Sequence, residues 1–146
     1  YDHNSALNLG ENRWKAVLQA GYITPLSDKV TLDLIGDVTW YGENDDFGPA
    51  KNTLQQDLSY QVQTHLRYHL SDATYLGLLY SHTWGGETQV NSVKQDDRLS
   101  TGKVALSLGH FFAPDLQGLI SVGQDVTVEN GFKEDSRLNL RLLKVF

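Results

Sequence analysis

Along residues 54–70, LQQDLSYQVQTHLRYHL, the even-numbered positions are Leu54, Gln56, Leu58, Tyr60, Val62, Thr64, Leu66, Tyr68 and Leu70. The odd-numbered positions carry only polar side chains. Successive side chains of a strand point to opposite faces, so this period of two predicts a β-strand with one mostly apolar and one polar face. Its seventeen residues far exceed the roughly 5–6 of an ordinary globular strand, so something must require the length.

The same phase recurs elsewhere. Residues 13–23 set Trp14, Ala16, Leu18, Ala20 and Tyr22 against Lys15, Gln19 and Gly21. Residues 30–41 set Val30, Leu32, Leu34, Gly36, Val38 and Trp40 against Thr31, Asp33, Asp37 and Thr39, with Ile35 the exception. Residues 99–112 group Val104, Leu106, Leu108 and Phe112, with Lys103 and Ser107 opposite. Residues 116–128 group Leu116, Ile120, Val122, Val126 and Val128, with Gln117, Ser121, Asp125 and Thr127 opposite. The last segment sets Leu138, Leu140, Leu142 and Phe146 against Arg137, Asn139 and Arg141. Residues 74–84 are rich in strand formers, but Leu76, Leu78 and Tyr80 compete in phase with Tyr75 and Leu79, so the facing of that strand stays open. No segment has a period of 3.6, and essentially no helix is expected.

The connections fall into two alternating classes. Residues 24–29, 70–74 and 113–115 are short and carry Pro, Asp and Ser turn chemistry. Residues 42–52, 85–97 and 129–135 are mostly longer and acidic. Short turns on one rim and longer loops on the other are the arrangement of bacterial outer-membrane barrels. Strand length then has a cause. About 13 residues at roughly 3.3 Å each, tilted near 40°, rise roughly 33 Å and cross an apolar band of about 25 Å. Aromatic side chains favour the membrane interface, and Trp14, Trp40 and Trp84 fall at the long-loop ends while Tyr22, Tyr68, Phe112 and Phe146 fall at the short-turn ends.

Composition narrows the function classes. With 146 residues the chain suits one domain, and a formal net charge of -6 without a basic run argues against nucleic acid. There is no cysteine, hence no disulfide, thiolate nucleophile or Cys-ligated metal. No apolar run is long enough for a transmembrane helix, which says nothing against a strand-built membrane protein.

Polar positions on the odd face define a candidate pore lining: Lys15, Asp33, Asp37, Asp57, His65, Arg67, Lys103, Asp125, Arg137 and Arg141. Acidic side chains are expensive in a dry core unless paired and cheap in a wet lumen. The competing reading is that these residues pair across strands and fill a narrow barrel, and both can hold in different layers. His65 and His69 share a strand face but lie about 13 Å apart, too far for one metal. Ser81 and His82 are adjacent and point to opposite faces, which defeats a catalytic couple. Gly85 and Gly86 suit a flexible loop, since no helix follows to make a phosphate cradle. The acidic runs at Glu43, Asp45, Asp46, Asp96 and Asp97 read chiefly as a solvated face, with divalent-cation binding the alternative. No catalytic residue, cofactor or metal site is expected.

The opening ALNLGENRW, the central DLSYQVQTHLRYHL with TYLGLLYSHTWGGET, and a terminal strand ending in Phe146 resemble the outer-membrane β-barrel family named for the meta-pathway of phenol degradation, in its C-terminal part. The resemblance covers nearly the whole chain and implies a channel or transporter in the bacterial outer membrane. The C-terminal strand is also similar to the barrel-assembly signal, with Leu138, Leu140, Leu142 and Phe146 matching and Lys144 departing from it.

The expected fold is therefore an all-β, antiparallel, up-and-down transmembrane barrel, or the C-terminal strands of one, with about seven long strands. Residues 1–146 should form a single barrel domain lacking N-terminal strands of the full-length protein, because single-chain bacterial barrels have an even strand count. Expected partners are outer-membrane lipid and lipopolysaccharide, the barrel-assembly machinery through the C-terminal strand, and a small-molecule solute, aromatic solutes included. Two rivals remain: a soluble lipocalin-like barrel with the apolar face around a ligand, and an outer-membrane lipid-modifying enzyme. The side on which Leu58, Val62 and Leu66 lie separates the first rival from the channel.

Overall fold

Residues 1–5 and 8–146 are described by a computed structural model of the chain; Ala6 and Leu7, within the opening stretch, lie outside the described residues. Seven long strands are present: β1 (Lys15–Ser27), β2 (Val30–Tyr41), β5 (Ser59–Ser71), β6 (Thr74–Gly85), β9 (Leu99–Ala113), β10 (Leu116–Glu129) and β11 (Arg137–Lys144). Four short ones, β3 (Asn44–Phe47), β4 (Asn52–Gln56), β7 (Thr88–Val90) and β8 (Val93–Lys94), lie inside two of the long connections. No helix occurs among the described residues.

The long strands form one antiparallel sheet in the order β1-β2-β5-β6-β9-β10-β11, here called the wall, which is not closed on itself in this chain. Each long strand pairs with the next one along the chain, the up-and-down order that short turns impose. The short strands form a second sheet, β3-β4-β7-β8, here called the rim. Whereas residues 54–56 of β4 were read as the start of the alternating strand, β3, β7 and β8 were not expected, since 42–52 and 85–97 read as loops. Their strands are short, and β3, Asn44–Phe47, carries three polar side chains in four residues, so no apolar periodicity announced them.

The alternating stretch 54–70 is not one strand. It breaks at Asp57 and Leu58, with β4 in the rim below the break in sequence and β5 in the wall above it. The partner strand breaks at the same level. Gly85 and Gly86 have φ of 91° and 70°, and a side chain on Gly85 would meet the Leu58 carbonyl oxygen at 2.5 Å. Gly86 N donates to that carbonyl and Asp57 N donates to Glu87 O, so the bent pair keeps its hydrogen bonds through the kink. The glycines supply a fixed bend rather than flexibility.

Three further placements differ from expectation. β1 runs on through Pro25 to Ser27, so Tyr22 pairs with Leu34, five pairs in from the turn, instead of ending the strand. Proline is tolerated there because it sits at the register irregularity between Pro25 and Ser27 that ends the ladder. β11 ends at Lys144, and Phe146 follows it fully exposed. A bulge between Asp125 and Thr127 pairs Thr127 with Gly102 and Val128 with Thr101, so the alternation of β10 switches face at its long-loop end.

The facing of β6 is resolved by its partners. Leu78 pairs with Leu66 and Leu106, and Val122 continues the row, so the even-numbered residues of β5, β6, β9 and β10 share one face. That face is exposed: Val122 retains 52% and Leu140 73% of its surface. Among the described residues no apolar side chain is buried, and the accessible surface is 10021 Å². A compact monomer of 16.4 kDa would show about 7,500 Å². A contiguous apolar face of this extent cannot be left in water.

Candidate functional site

The other face of the wall carries the polar residues. Gln61, His65, Leu79, Lys103, Ser121 and Arg137, drawn from β5, β6, β9, β10 and β11, border one cavity of about 440 Å³. Side chains from five neighbouring strands meet around one space only if the sheet curls toward that side. The polar face is thus the concave, inner one and the apolar face the outer, convex one. This arrangement removes the soluble-barrel rival, which needs Leu58, Val62 and Leu66 inside; Val62 and Leu66 lie on the exposed outer face.

Ion pairs on the inner face form two groups. Asp33, with its side chain 13% exposed, holds Arg67 Nη2 at 2.8 Å, and His65 Nδ1 lies 3.6 Å from its other oxygen. Registry explains the meeting: Asp33 is directly opposite His65, and Thr31 opposite Arg67, so Arg67 reaches diagonally. The His65 ring has room because the residue diagonal to it, opposite Arg67, is Gly77; a side chain there would collide with both His65 Nε2 and Ser107 Oγ. Ser107 Oγ has no hydrogen-bond partner among the described residues.

The second group lies nearer the long loops. Lys103 Nζ is 3.2 Å from Asp125 Oδ1 and 3.4 Å from Glu134 Oε2, and Arg137 Nε donates to Glu134 Oε1 at 2.9 Å. Asp125 is 4% exposed and exchanges two hydrogen bonds with the backbone of Glu134 in the 129–135 connection: its N donates to Glu134 O, and Glu134 N donates to its Oδ2, both at 2.8 Å. The third long loop is therefore pinned back onto the inner wall. Glu134 escaped the sequence reading because only tertiary folding brings a loop carboxylate beside Lys103.

The remaining expected lining residues separate. Asp37 lies on the inner face opposite Gln19, whose amide is 3.5 Å from its carboxylate. Lys15 stands at the mouth, paired with Glu11 and 5.3 Å from the Tyr41 ring centre, where Arg13 also packs at 4.9 Å. Arg141 is opposite Leu119 and forms no ion pair among the described residues. Asp57 is not part of the wall: the kink places it in the junction between the sheets, exposed, 3.5 Å from the Gln89 amide. Ser81 and His82 do point to opposite faces; Ser81 is buried inside, while the His82 ring stacks on Trp84 at 5.7 Å. His69 takes a different partner from His65, with Nε2 3.4 Å from Thr31 Oγ1.

The aromatics expected at the interface sort by end of strand. Trp40 and Trp84 are each one residue from the long-loop end, Trp14 lies just before β1, and Tyr60 stacks on Trp84 at 5.7 Å. Tyr68 and Phe112 lie near the short turns, whereas Tyr22 does not. Lys144, which departs from the apolar pattern, pairs with Asp115 in the turn between β9 and β10 at 2.5 Å.

Glu43, Asp46 and Asp97 of the acidic loops are engaged by neighbouring side chains or backbone. Asp46 contacts His3 at 3.2 Å and Lys51 at 3.5 Å, Glu43 accepts from Gln55, and Asp97 accepts from Thr88 N and Oγ1. At Glu11, burial raises the carboxyl pKa, and its bonds to Lys15 and Arg13 outweigh that, leaving it below the ordinary 4.5.

Comparison with known proteins agrees with this geometry. A crystal structure of an outer membrane channel from Pseudomonas putida F1 superposes with a TM-score of 0.92 at 46% sequence identity, covering 100% of this chain and 55% of that one. The chain thus spans 55% of the length of that channel. Comparison with curated proteins gives no match. The family model described as "Putative MetA-pathway of phenol degradation" matches residues 1–142. The chain belongs to that family, and its antiparallel wall is that of a protein of the bacterial outer membrane.

Proposed function

We propose that the chain forms the C-terminal part of a passive outer-membrane channel for small solutes, aromatic ones included, completed by further strands that pair with the open edges of β1 and β11. The observation that carries this reading is the inversion of the wall: apolar side chains outside, and a concave polar face bordering a cavity inside. An open edge in lipid would leave unpaired N–H and C=O groups, which closure by other strands removes. The likeness to an outer membrane channel supports the same reading. Lys103, His65, Arg67 and Arg137 line the path, and their partners Asp33, Asp125 and Glu134 keep its charge near balance.

Reconstitution of the full-length protein in planar bilayers tests this. Discrete current steps, with swelling of proteoliposomes in small sugars or phenol, are expected. A protein that is heat-modifiable on gels yet passes neither ions nor phenol would end the channel reading.

A further inference from the structure

Glu134 occupies a carboxylate-shaped place. Its two oxygens are divided between two cations, Oε2 with Lys103 and Oε1 with Arg137, at the edge of the 440 Å³ cavity that both cations line. Lys103 has a second partner in Asp125, so with Glu134 removed two cations would face one carboxylate and an anion would be needed to restore balance. The loop does not have to leave for this to happen. It is attached through the backbone of Glu134 to Asp125, by one N–H on each side, and through Asn130 to the Asp96 and Arg98 carbonyls, while among the described residues the Glu134 side chain is held by the two cations. The rest of the cavity suits a ring: Leu79 and Ala105, directly opposite one another on β6 and β9, form an apolar floor, and Gln63, Ser81 and Ser121 offer hydrogen bonds around it. An apolar cavity of about 150 Å³ already holds benzene.

We propose that Lys103 and Arg137 form a binding site for the carboxylate of a small aromatic acid, and that Glu134 is its built-in competitor, displaced when the acid binds. A planar guanidinium and an ammonium arranged on the two oxygens of one carboxylate give charge-assisted hydrogen bonds in a partly desolvated place. The apolar floor distinguishes an aryl acid from acetate, and the cation pair distinguishes it from phenol. The site rests on the inner wall being a solute path, but binding at it does not require conduction.

The test uses the full-length protein with benzoate as the probe, acetate and phenol as controls, and two readouts: calorimetric binding in detergent and current block in bilayers. Glu134→Gln should tighten benzoate by about tenfold, acetate much less and phenol not at all. Adding Lys103→Gln and Arg137→Gln to that variant should abolish the gain. Glu134→Ala serves as a second variant, and heat-modifiable mobility identifies which variants assemble. Unchanged benzoate affinity in both Glu134 variants overturns the proposal, as does a gain that survives loss of both cations or is matched by phenol. Binding that behaves as expected in detergent without any current would sink the channel reading and leave this site standing.

Discussion

The wall and the rim are built from the same chain and often from the same strand pair, yet they answer to different solvents. In the wall, strands of 8–15 residues leave leucines and valines exposed on one whole face. In the rim, strands of 2–5 residues are stitched by polar side chains: Asn44, 1% exposed, accepts from Asn12 and Asp46 N and donates to Glu11 O. Asn91 likewise accepts from Thr53 N and donates to Asn52. The boundary is the glycine bend opposite Leu58. Wall strands must be long and apolar outside because lipid covers them; rim strands need only enough bonds to hold loops in water.

The sharpest way to break this contrast is to place the same charge in both regions. Val122→Arg, in the middle of the outward row between Leu106 and Leu138, should destabilise the inserted protein by about 2–4 kcal/mol. Val93→Arg in the rim should stay within about 0.5 kcal/mol. Urea unfolding in lipid vesicles reads both, and equal effects would remove the lipid-facing assignment. At the boundary, Gly85→Val forces a β-branched residue to a φ of 91° against the Leu58 carbonyl, with an expected loss of about 2–3 kcal/mol. That loss should fall on β4 and β7 amides in hydrogen exchange and spare β9 and β10.

Within the rim, Asn44→Ala strands Glu11 O and Asp46 N, an expected cost of about 1–2 kcal/mol that should appear as faster exchange in β3 and β4 with no change in the wall. The smallest effect is electrostatic. Glu11's pKa is held below 4.5 in the folded chain, so its contribution is present above that value and is lost as pH falls through the lower, folded pKa. Mobility of the 8–15 segment, followed by a spin label, should rise below about pH 4.5, and Glu11→Gln should flatten the profile.

Residues such as Leu66, Leu106 and Leu138 were legible as one apolar stripe because a period of two is a local property of sequence. The strand at 74–84 was not, since Tyr75 and Leu79 blur its phase; pairing of Leu78 with Leu66 and Leu106 settled it. The candidate lining fared unevenly for a related reason. Asp33, His65 and Arg67 could be placed on one face, but that His65 meets Asp33 and not Asp37 depends on register, which no single strand contains. Asp57 was misplaced because alternation continues through a kink that two glycines on another strand create.

By itself, the chain's alternation set the class of structure: long antiparallel strands, one apolar and one polar face, with short and long connections on opposite sides. Those choices follow from the two-residue repeat and from turn chemistry, both of which act over a few residues. Tertiary structure alone decided that the polar face is concave, that the long loops carry a sheet of their own, and that Glu134 folds back between Lys103 and Arg137. Each of these requires groups tens of residues apart to meet, and their meeting is fixed by strand register and sheet curvature.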